Sequence, residues 1–220
     1  MSKLEGFFPA TSMPDSNWWN ALWPRPDQIL ERLGLTSAAE VVDLCCGDGL
    51  FTIPLARIVR HVVAIDLDPA MQALVRDRAH AEGVNNCLFT VGNAYDIEKL
   101  VPGRVDWVLI ANTFHGVPDK TRLARAVAAV LKSGGRFAVI NWHRRPREDT
   151  TVLGQPRGPK TEMRMTPEEV TAAVAGEGLQ PFHVIDLPPY HYAAIFERSL
   201  GAPSGSAAAV NVDPHDSPHF

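Results

Sequence analysis

Two acidic residues and a glycine pair set the chemistry open to this chain. Asp43 lies in a short β-branched, apolar run, Val41 to Leu44, and Gly47 and Gly49 follow it directly. An apolar-periodic stretch comes next, with Leu50, Ile53, Leu55, Ile58 and Val59. A strand, a glycine turn and a helix in that order can hold a nucleotide-like ligand against backbone amides. Glycine lets the ligand approach the main chain because it has no Cβ. Asp66 stands 19 residues beyond Gly47, at the tip of the next strand. An acid at that spacing is placed to bond both hydroxyls of a ribose. A nicotinamide fingerprint needs glycine at three positions where this chain has Cys45, Gly47 and Leu50, and a phosphate-cradling Gly-Lys-Ser/Thr is absent.

The remaining reactive side chains cluster further along. His115 and His143 each follow the end of an apolar strand-like run and are the candidate proton acceptors. Residues 143–165 interrupt the strand–helix rhythm and carry Arg144, Arg145, Arg147, Arg157, Lys160 and Arg164. A loop of this length is functional or disordered, and its guanidinium groups suit a substrate carboxylate or phosphate; a solvated basic loop is the plainer alternative. Trp18, Trp19 and Trp23 sit close together in residues 1–25, beside Phe7, Phe8 and Pro9. Such rings either cap the edge of a core or form a lid over a site. Cys45, Cys46 and Cys87 invite a metal or metalloid reading. However, strand neighbours point to opposite faces, and the strand carrying Cys87 is expected two strands from the first, roughly 10 Å away. No metal site is expected, and Cys46 reads as a small buried hydrophobe. His215, Asp216 and His219 read as a loose surface cluster.

These residues need elements to position them. A short helix is expected over Asp27 to Leu33, with Pro26 at its start and Gly34 at its stop. Strands follow at about 40–45, His61 to Asp66, Cys87 to Val91, Val105 to Ala111, and Arg136 to Trp142. Helices lie between them. One starts with Asp68 as cap and Pro69 at the first position, and Met71, Leu74 and Val75 form its buried stripe. Another carries Leu123, Val127, Val130 and Leu131 at helical spacing and ends at Lys132-Ser133-Gly134-Gly135. Thr166-Pro167-Glu168-Glu169 is a capping-box helix start. Phe182 to Leu187 and His191 to Glu197 read as two strands joined through Pro188-Pro189-Tyr190.

The stretch from Asp43 through Gly47 and Gly49 resembles the first motif of the class I S-adenosylmethionine-dependent methyltransferases, an acid followed by G-x-G-x-G, with Cys45 in place of the first glycine. The run Val-Leu-Lys-Ser-Gly-Gly-Arg-Phe is similar to a recurrent segment of the same family, and the terminal hairpin distinguishes its sheet from a dehydrogenase sheet. The resemblance covers residues 38–142 by motif and 165–198 by topology. It implies an α/β, Rossmann-like fold: a seven-stranded sheet of five parallel strands plus a C-terminal antiparallel hairpin, with helices on both faces. It implies S-adenosylmethionine as cofactor, held by Asp43, Cys45, Gly47, Asp48, Gly49, Asp66, Leu67, Asn93, Ala94 and Asn112. Asn93 and Ala94 would meet the adenine and Asn112 the edge facing the transferable methyl group. Trp19, Trp23, Trp142, Arg157, Lys160 and Arg164 are the expected substrate contacts, with His115 and then His143 as catalytic base.

The organisation expected is an aromatic-rich cap over 1–37, a methyltransferase domain over 38–200 with the 143–165 loop on its substrate side, and a flexible tail over 201–220. Composition bounds the partners. At 220 residues and 45% hydrophobic the chain is long enough for one packed domain, and a formal charge of −4 disfavours a nucleic-acid partner. The start lacks a secretory core and no run reaches membrane length, so a cytoplasmic protein with a small-molecule substrate is expected. Oligomeric state is not legible. A non-catalytic S-adenosylmethionine-binding scaffold is the alternative, resting on Cys45 and Asn93. Thiolate-assisted metalloid methylation and nicotinamide-dependent oxidoreduction rank below it.

Overall fold

The computed structural model describes residues 14–199. Phe7, Phe8 and Pro9, the expected tail over 201–220, and His215, Asp216 and His219 lie outside the described residues.

Five β-branched, apolar runs form the parallel part of one sheet. They are β1 (Glu40–Leu44), β2 (His61–Asp66), β3 (Cys87–Val91), β4 (Val105–Ala111) and β5 (Leu131–Trp142). A two-stranded ribbon follows, β6 (Thr151–Val152) and β7 (Gln155–Pro156). The long hairpin β8 (Leu179–Leu187) and β9 (His191–Arg198) completes the sheet. The seven-stranded order is β3-β2-β1-β4-β5-β9-β8, with β1 to β5 mutually parallel and β9 antiparallel to both β5 and β8. The central strands are buried on both faces, which explains their continuous apolar sequences.

One face, carrying Val42, Leu44, Val108, Ile110, Phe137 and Val139, packs against α5 (Ile97–Leu100), α6 (Lys120–Val130) and α7 (Pro167–Val174). The opposite face, with Val41, Val62, Leu109 and Ile140, receives α1 (Ser16–Leu22), α2 (Pro26–Arg32) and α3 (Thr52–Ile58). Helix α4 (Pro69–Ala81) closes the β2 side through Val75 and Ala79 against Ile53 and Ala64. The expected caps are in place. Asp68 accepts from the Ala70 amide with Pro69 at the first position, and Thr166 and Glu169 complete a reciprocal capping box.

Three local expectations are corrected. Leu74 is 52% exposed, and the inward stripe of α4 is Gln72, Val75 and Ala79. The Gln72 amide is drawn inside because its Nε2 donates to the Ala64 carbonyl at 3.2 Å and lies 3.4 Å from Cys46 Sγ. Second, α6 stops at Val130. Leu131 pairs with Val105 and the register then jumps to Trp107–Arg136, so the Lys-Ser-Gly-Gly segment is an irregularity within β5 rather than a helix end. Lys132 stabilises it by reaching Asp106 at 3.0 Å and Glu40 at 3.1 Å. Third, β8 begins at Leu179, three residues before the expected strand, and pairs around a bulge between Pro181 and His183.

The 143–165 segment is folded. It contains 3-10 turns at Arg147–Asp149 and Thr161–Met163 and the β6–β7 ribbon. Leu153 and Gly154, at φ 50° and 73°, form the ribbon's two-residue connection. At its centre Arg164 is buried, and its guanidinium donates to the carbonyls of Pro159, Arg145 and Arg157 and to Thr150 Oγ1 at 2.8–3.1 Å.

Candidate functional site

The carboxyl ends of β1, β2, β4 and β5 meet along one edge of the sheet, where open parallel sheets bind ligands. The turn after β1 takes Cys45, Gly47 and Gly49 through φ 62°, 56° and 88°. Cys45 therefore adopts the left-handed conformation that glycine adopts freely and other residues hold at a cost of order 1–3 kcal/mol. At Gly49 a Cβ would come within 2.3 Å of Val75 Cγ2, so this glycine is required for the turn to pack on α4. The Cys46 amide donates to the Ile65 carbonyl at 3.0 Å, fastening the turn to β2.

Asp66 is the second anchor. Its two carboxylate oxygens accept the Gly47 and Asp68 amides, each at 2.9 Å. The acid thus ties the glycine turn to the loop after β2, and Leu67 lies half-buried between them. Asp48 Oδ1 is sealed without a partner, as are both amide atoms of Asn112, which holds φ 59° at the end of β4. Both atoms of this amide are thus open to a polar partner at this edge.

Asp43 is buried and accepts from Thr52 Oγ1 at 2.6 Å. Burial, with the nearby Asp66 charge in the same direction, pushes its carboxyl up to about 7, against the Thr52 hydroxyl. The native state therefore holds this proton more tightly than the unfolded chain does. Stability from this source is full below the ordinary aspartate value and is lost as pH rises to about 7. The wild type should lose stability relative to Asp43→Asn between pH 4 and 7, by up to a few kcal/mol at about 1.4 kcal/mol per pKa unit, and run parallel above. Denaturation midpoints of both proteins across that range check this; parallel curves throughout contradict it.

Asn93 already uses one acceptor site of its amide within its own turn. Its Oδ1 caps the following 3-10 turn by accepting from the Tyr95 amide at 2.9 Å, leaving Nδ2 as the group available to a ligand; Ala94 opens that turn, half-buried. The cysteines do not converge: β2 lies between β1 and β3, and no metal-sized cluster of His, Cys, Asp or Glu occurs among the described residues. All three are free, and burial pushes the thiols up, Cys87 to about 11 and Cys45 and Cys46 further.

His115 occupies a 3-10 turn, Phe114–Gly116, just past β4. Its Nδ1 lies 3.1 Å from Asn141 Oδ1. Burial lowers its pKa, with Lys120 and Arg164 acting in the same direction and the Asn141 contact opposing them. The imidazole is therefore neutral at pH 7, as a proton acceptor must be. His143 is differently placed: its Nε2 lies 2.8 Å from Asp186 Oδ1 at the end of β8, and its ring is 5.1 Å from that of Tyr192.

The aromatic residues sit on the other face. Trp19, Trp23 and Trp142 are all buried. The His191 ring lies between Trp23 and Trp142, with centroids at 4.4 and 4.2 Å, and Trp142 stacks on Tyr190 at 6.0 Å. Trp19 Nε1, Trp23 Nε1 and His191 Nε2 are sealed without partners. Arg157 places its guanidinium 5.4 Å from the Trp18 ring, with Nε also unpartnered. Lys160 is exposed beside Glu162. Arg164 is not available as a substrate clamp, because four acceptors of its own loop occupy it.

Residues outside the sequence reading complete the site. Thr52 holds Asp43, Asn141 meets His115, and His191 links the tryptophans. Asn141 had a usable signal, being the one amide inside the apolar run Phe137 to Trp142.

Residues 41–135 match the family described as "Methyltransferase domain". The chain is 32% identical over 141 residues to a ubiquinone biosynthesis O-methyltransferase of Xanthomonas euvesicatoria pv. vesicatoria, covering 60% of this chain and 58% of that protein. It is 33% identical over 140 residues to the protein of the same name from Xanthomonas axonopodis pv. citri, with the same coverage. The match thus spans less than two thirds of these relatives. Among solved structures, a SAM dependent methyltransferase from Aquifex aeolicus superposes with a TM-score of 0.69 at 19% identity, over 84% of this chain and 94% of that one.

Proposed function

We propose that this chain, whose residues 41–135 match the family described as "Methyltransferase domain", is a class I S-adenosylmethionine-dependent methyltransferase that transfers the methyl group of S-adenosylmethionine to a hydroxyl oxygen of a small molecule. The observation that carries this reading is the joint geometry of the glycine turn and Asp66. The carboxylate organises the turn amides at the sheet edge and keeps acceptor capacity for a ribose. The sealed, unpartnered Asn112 amide fits a polar ligand at the same edge. The oxygen acceptor follows from the name of the relatives, ubiquinone biosynthesis O-methyltransferase.

When bound, S-adenosylmethionine supplies a methyl carbon made electrophilic by its sulfonium and departs as S-adenosylhomocysteine. The protein's own contribution is to position and to accept a proton. Asp66 and the 45–49 turn hold the nucleoside, and Asp48, Leu67, Ala94, the Asn93 Nδ2 group and Asn112 bound its pocket. Alignment of this kind contributes several kcal/mol, within the roughly 7–11 that good orientation can provide. His115 Nε2 takes the proton of the acceptor hydroxyl. Trp19, Trp23 and Trp142 pack inside the core on the other face of the sheet and are not free to contact a substrate, which leaves Arg157 and Lys160 as the cations to meet an anionic substituent.

Thermal unfolding tests the cofactor. S-adenosylmethionine and S-adenosylhomocysteine at 100 times their dissociation constants should each stabilise the protein by about 2.7 kcal/mol, visible as a rise in Tm, and NADH should not. No rise with either adenosyl ligand at millimolar concentration overturns the reading. A rise without turnover of any phenol, catechol or carboxylic acid acceptor would favour the non-catalytic scaffold instead.

A further inference from the structure

Asn141 is the last amide before the end of β5, fully buried on the α6-facing side of the sheet. On that side it is the cross-strand neighbour of Tyr192 in β9. The Tyr192 hydroxyl donates its proton to the Met165 carbonyl at 2.9 Å, so the phenol oxygen can only accept from its remaining neighbours. The Asn141 Nδ2 is buried without a hydrogen-bond partner, on the strand position paired with Tyr192. The carbonyl end belongs on the His115 side, where it lies 3.1 Å from Nδ1.

An amide oxygen can only accept. It selects the imidazole tautomer that carries its proton on Nδ1 and leaves a lone pair on Nε2. That second nitrogen has no hydrogen-bond partner among the described residues and is not among the polar atoms sealed in the interior. We propose that Asn141 is a positioning residue for methyl transfer: it holds His115 as the Nδ1–H tautomer and thereby presents a basic Nε2 to the acceptor hydroxyl. The proposal rests on the methyltransferase reading above for its reaction and on the Tyr192–Asn141–His115 order for its geometry.

The step balances. The acceptor oxygen bonds to the methyl carbon as the carbon–sulfur bond breaks, and the electron pair of that bond stays on sulfur. The hydroxyl proton passes to His115 Nε2, leaving an imidazolium with protons on both nitrogens, whose Nδ1–H still donates to the Asn141 oxygen. The choice of an amide over a carboxylate has a physical reason. A carboxylate would select the same tautomer, but its charge would raise the imidazole pKa and move its working range to higher pH. Around His115 the charged or titratable groups are Lys120 on α6 and Arg164 in the loop, which disfavour the imidazolium, together with His191 on β9. Asn141 orients without opposing them.

The test is long-range proton–nitrogen NMR of the full chain labelled in histidine, with S-adenosylhomocysteine bound and the His115 signals identified by their loss in His115→Gln. The expected wild-type result is an Nδ1–H tautomer with unprotonated Nε2; an Nε2–H tautomer overturns the proposal. Asn141→Leu should lose the tautomer preference and lower kcat on a catechol acceptor at least tenfold, with the KM for S-adenosylmethionine within twofold. Asn141→Asp should keep the tautomer and move the acid limb of kcat/KM to higher pH by about one unit or more, as an opposite charge at this distance does. Unchanged tautomer and pH profile in both variants also overturn the proposal. The NMR result decides it even where a variant folds poorly. Absence of a melting response to S-adenosylhomocysteine would instead remove the methyltransferase reading, which separates the two failures.

Discussion

Asp66→Ala is expected to weaken S-adenosylmethionine binding by at least about a hundredfold. Hydrogen bonds to a charged group are worth about 1.5–3 kcal/mol each, and the carboxylate is placed to accept from both ribose hydroxyls. The same substitution frees the Gly47 and Asp68 amides. The Asp68 amide is exposed and can find water, whereas Gly47 is buried, so a loss of fold stability of about 1–3 kcal/mol accompanies the loss of affinity. Isothermal titration on a protein whose unliganded Tm is also measured separates the two effects. A 2′-deoxy analogue of S-adenosylhomocysteine sharpens the test: it should bind the wild type more weakly than the parent ligand and bind Asp66→Ala about as well as the parent does. This is the coupling expected of groups in contact. Affinity within twofold of wild type in Asp66→Ala would falsify the ribose assignment.

Arg164→Met is expected to destabilise the protein by about 3 kcal/mol or more, without touching the cofactor site. The guanidinium satisfies three carbonyls and the Thr150 hydroxyl inside the 143–165 segment and lies 5.0 Å from the Trp142 ring centre. Removing it leaves buried carbonyls unpaired at about 1–3 kcal/mol each. Lysine should rescue little, since an ammonium cannot span four acceptors with a planar fork. Urea denaturation checks the magnitude, and limited proteolysis should locate the new cleavage between residues 143 and 165. A stability change below about 0.5 kcal/mol, with the loop still resistant, would show that these hydrogen bonds are dispensable. If the prediction holds, the loop is a preformed wall beside the site, and Trp142 and His191 owe their positions to it.

These two residues mark where sequence reading works and where it stops. The position of Asp66 was legible because it depends on distance along the chain: a strand, a turn and a helix of ordinary length put an acid about 20 residues after the glycine at the neighbouring strand tip. Arg164 was read as a solvent-facing clamp because an arginine in a long polar loop ordinarily faces water. Its burial depends on Arg145, Thr150, Arg157 and Pro159 of that loop folding back on one point. Gln72 in place of Leu74 has the same origin: helical periodicity shows a face but not which polar side chain will find an inward partner, here the Ala64 carbonyl.

From the sequence alone came the strand runs β1 to β4 within a residue, the caps of α4 and α7, the strand pair at the end of the chain and the ligand edge. These depend on local steric preferences and on apolar patterning, which act over a few residues. The tertiary structure decided the left-handed Cys45 and Asn112, the occupation of Asn93 by a turn, the separation of the three thiols and the meeting of His115 with Asn141. Those features arise where chain segments distant in sequence are brought within hydrogen-bond reach. There the partner, and not the residue type, determines whether a polar group is structural or free to act.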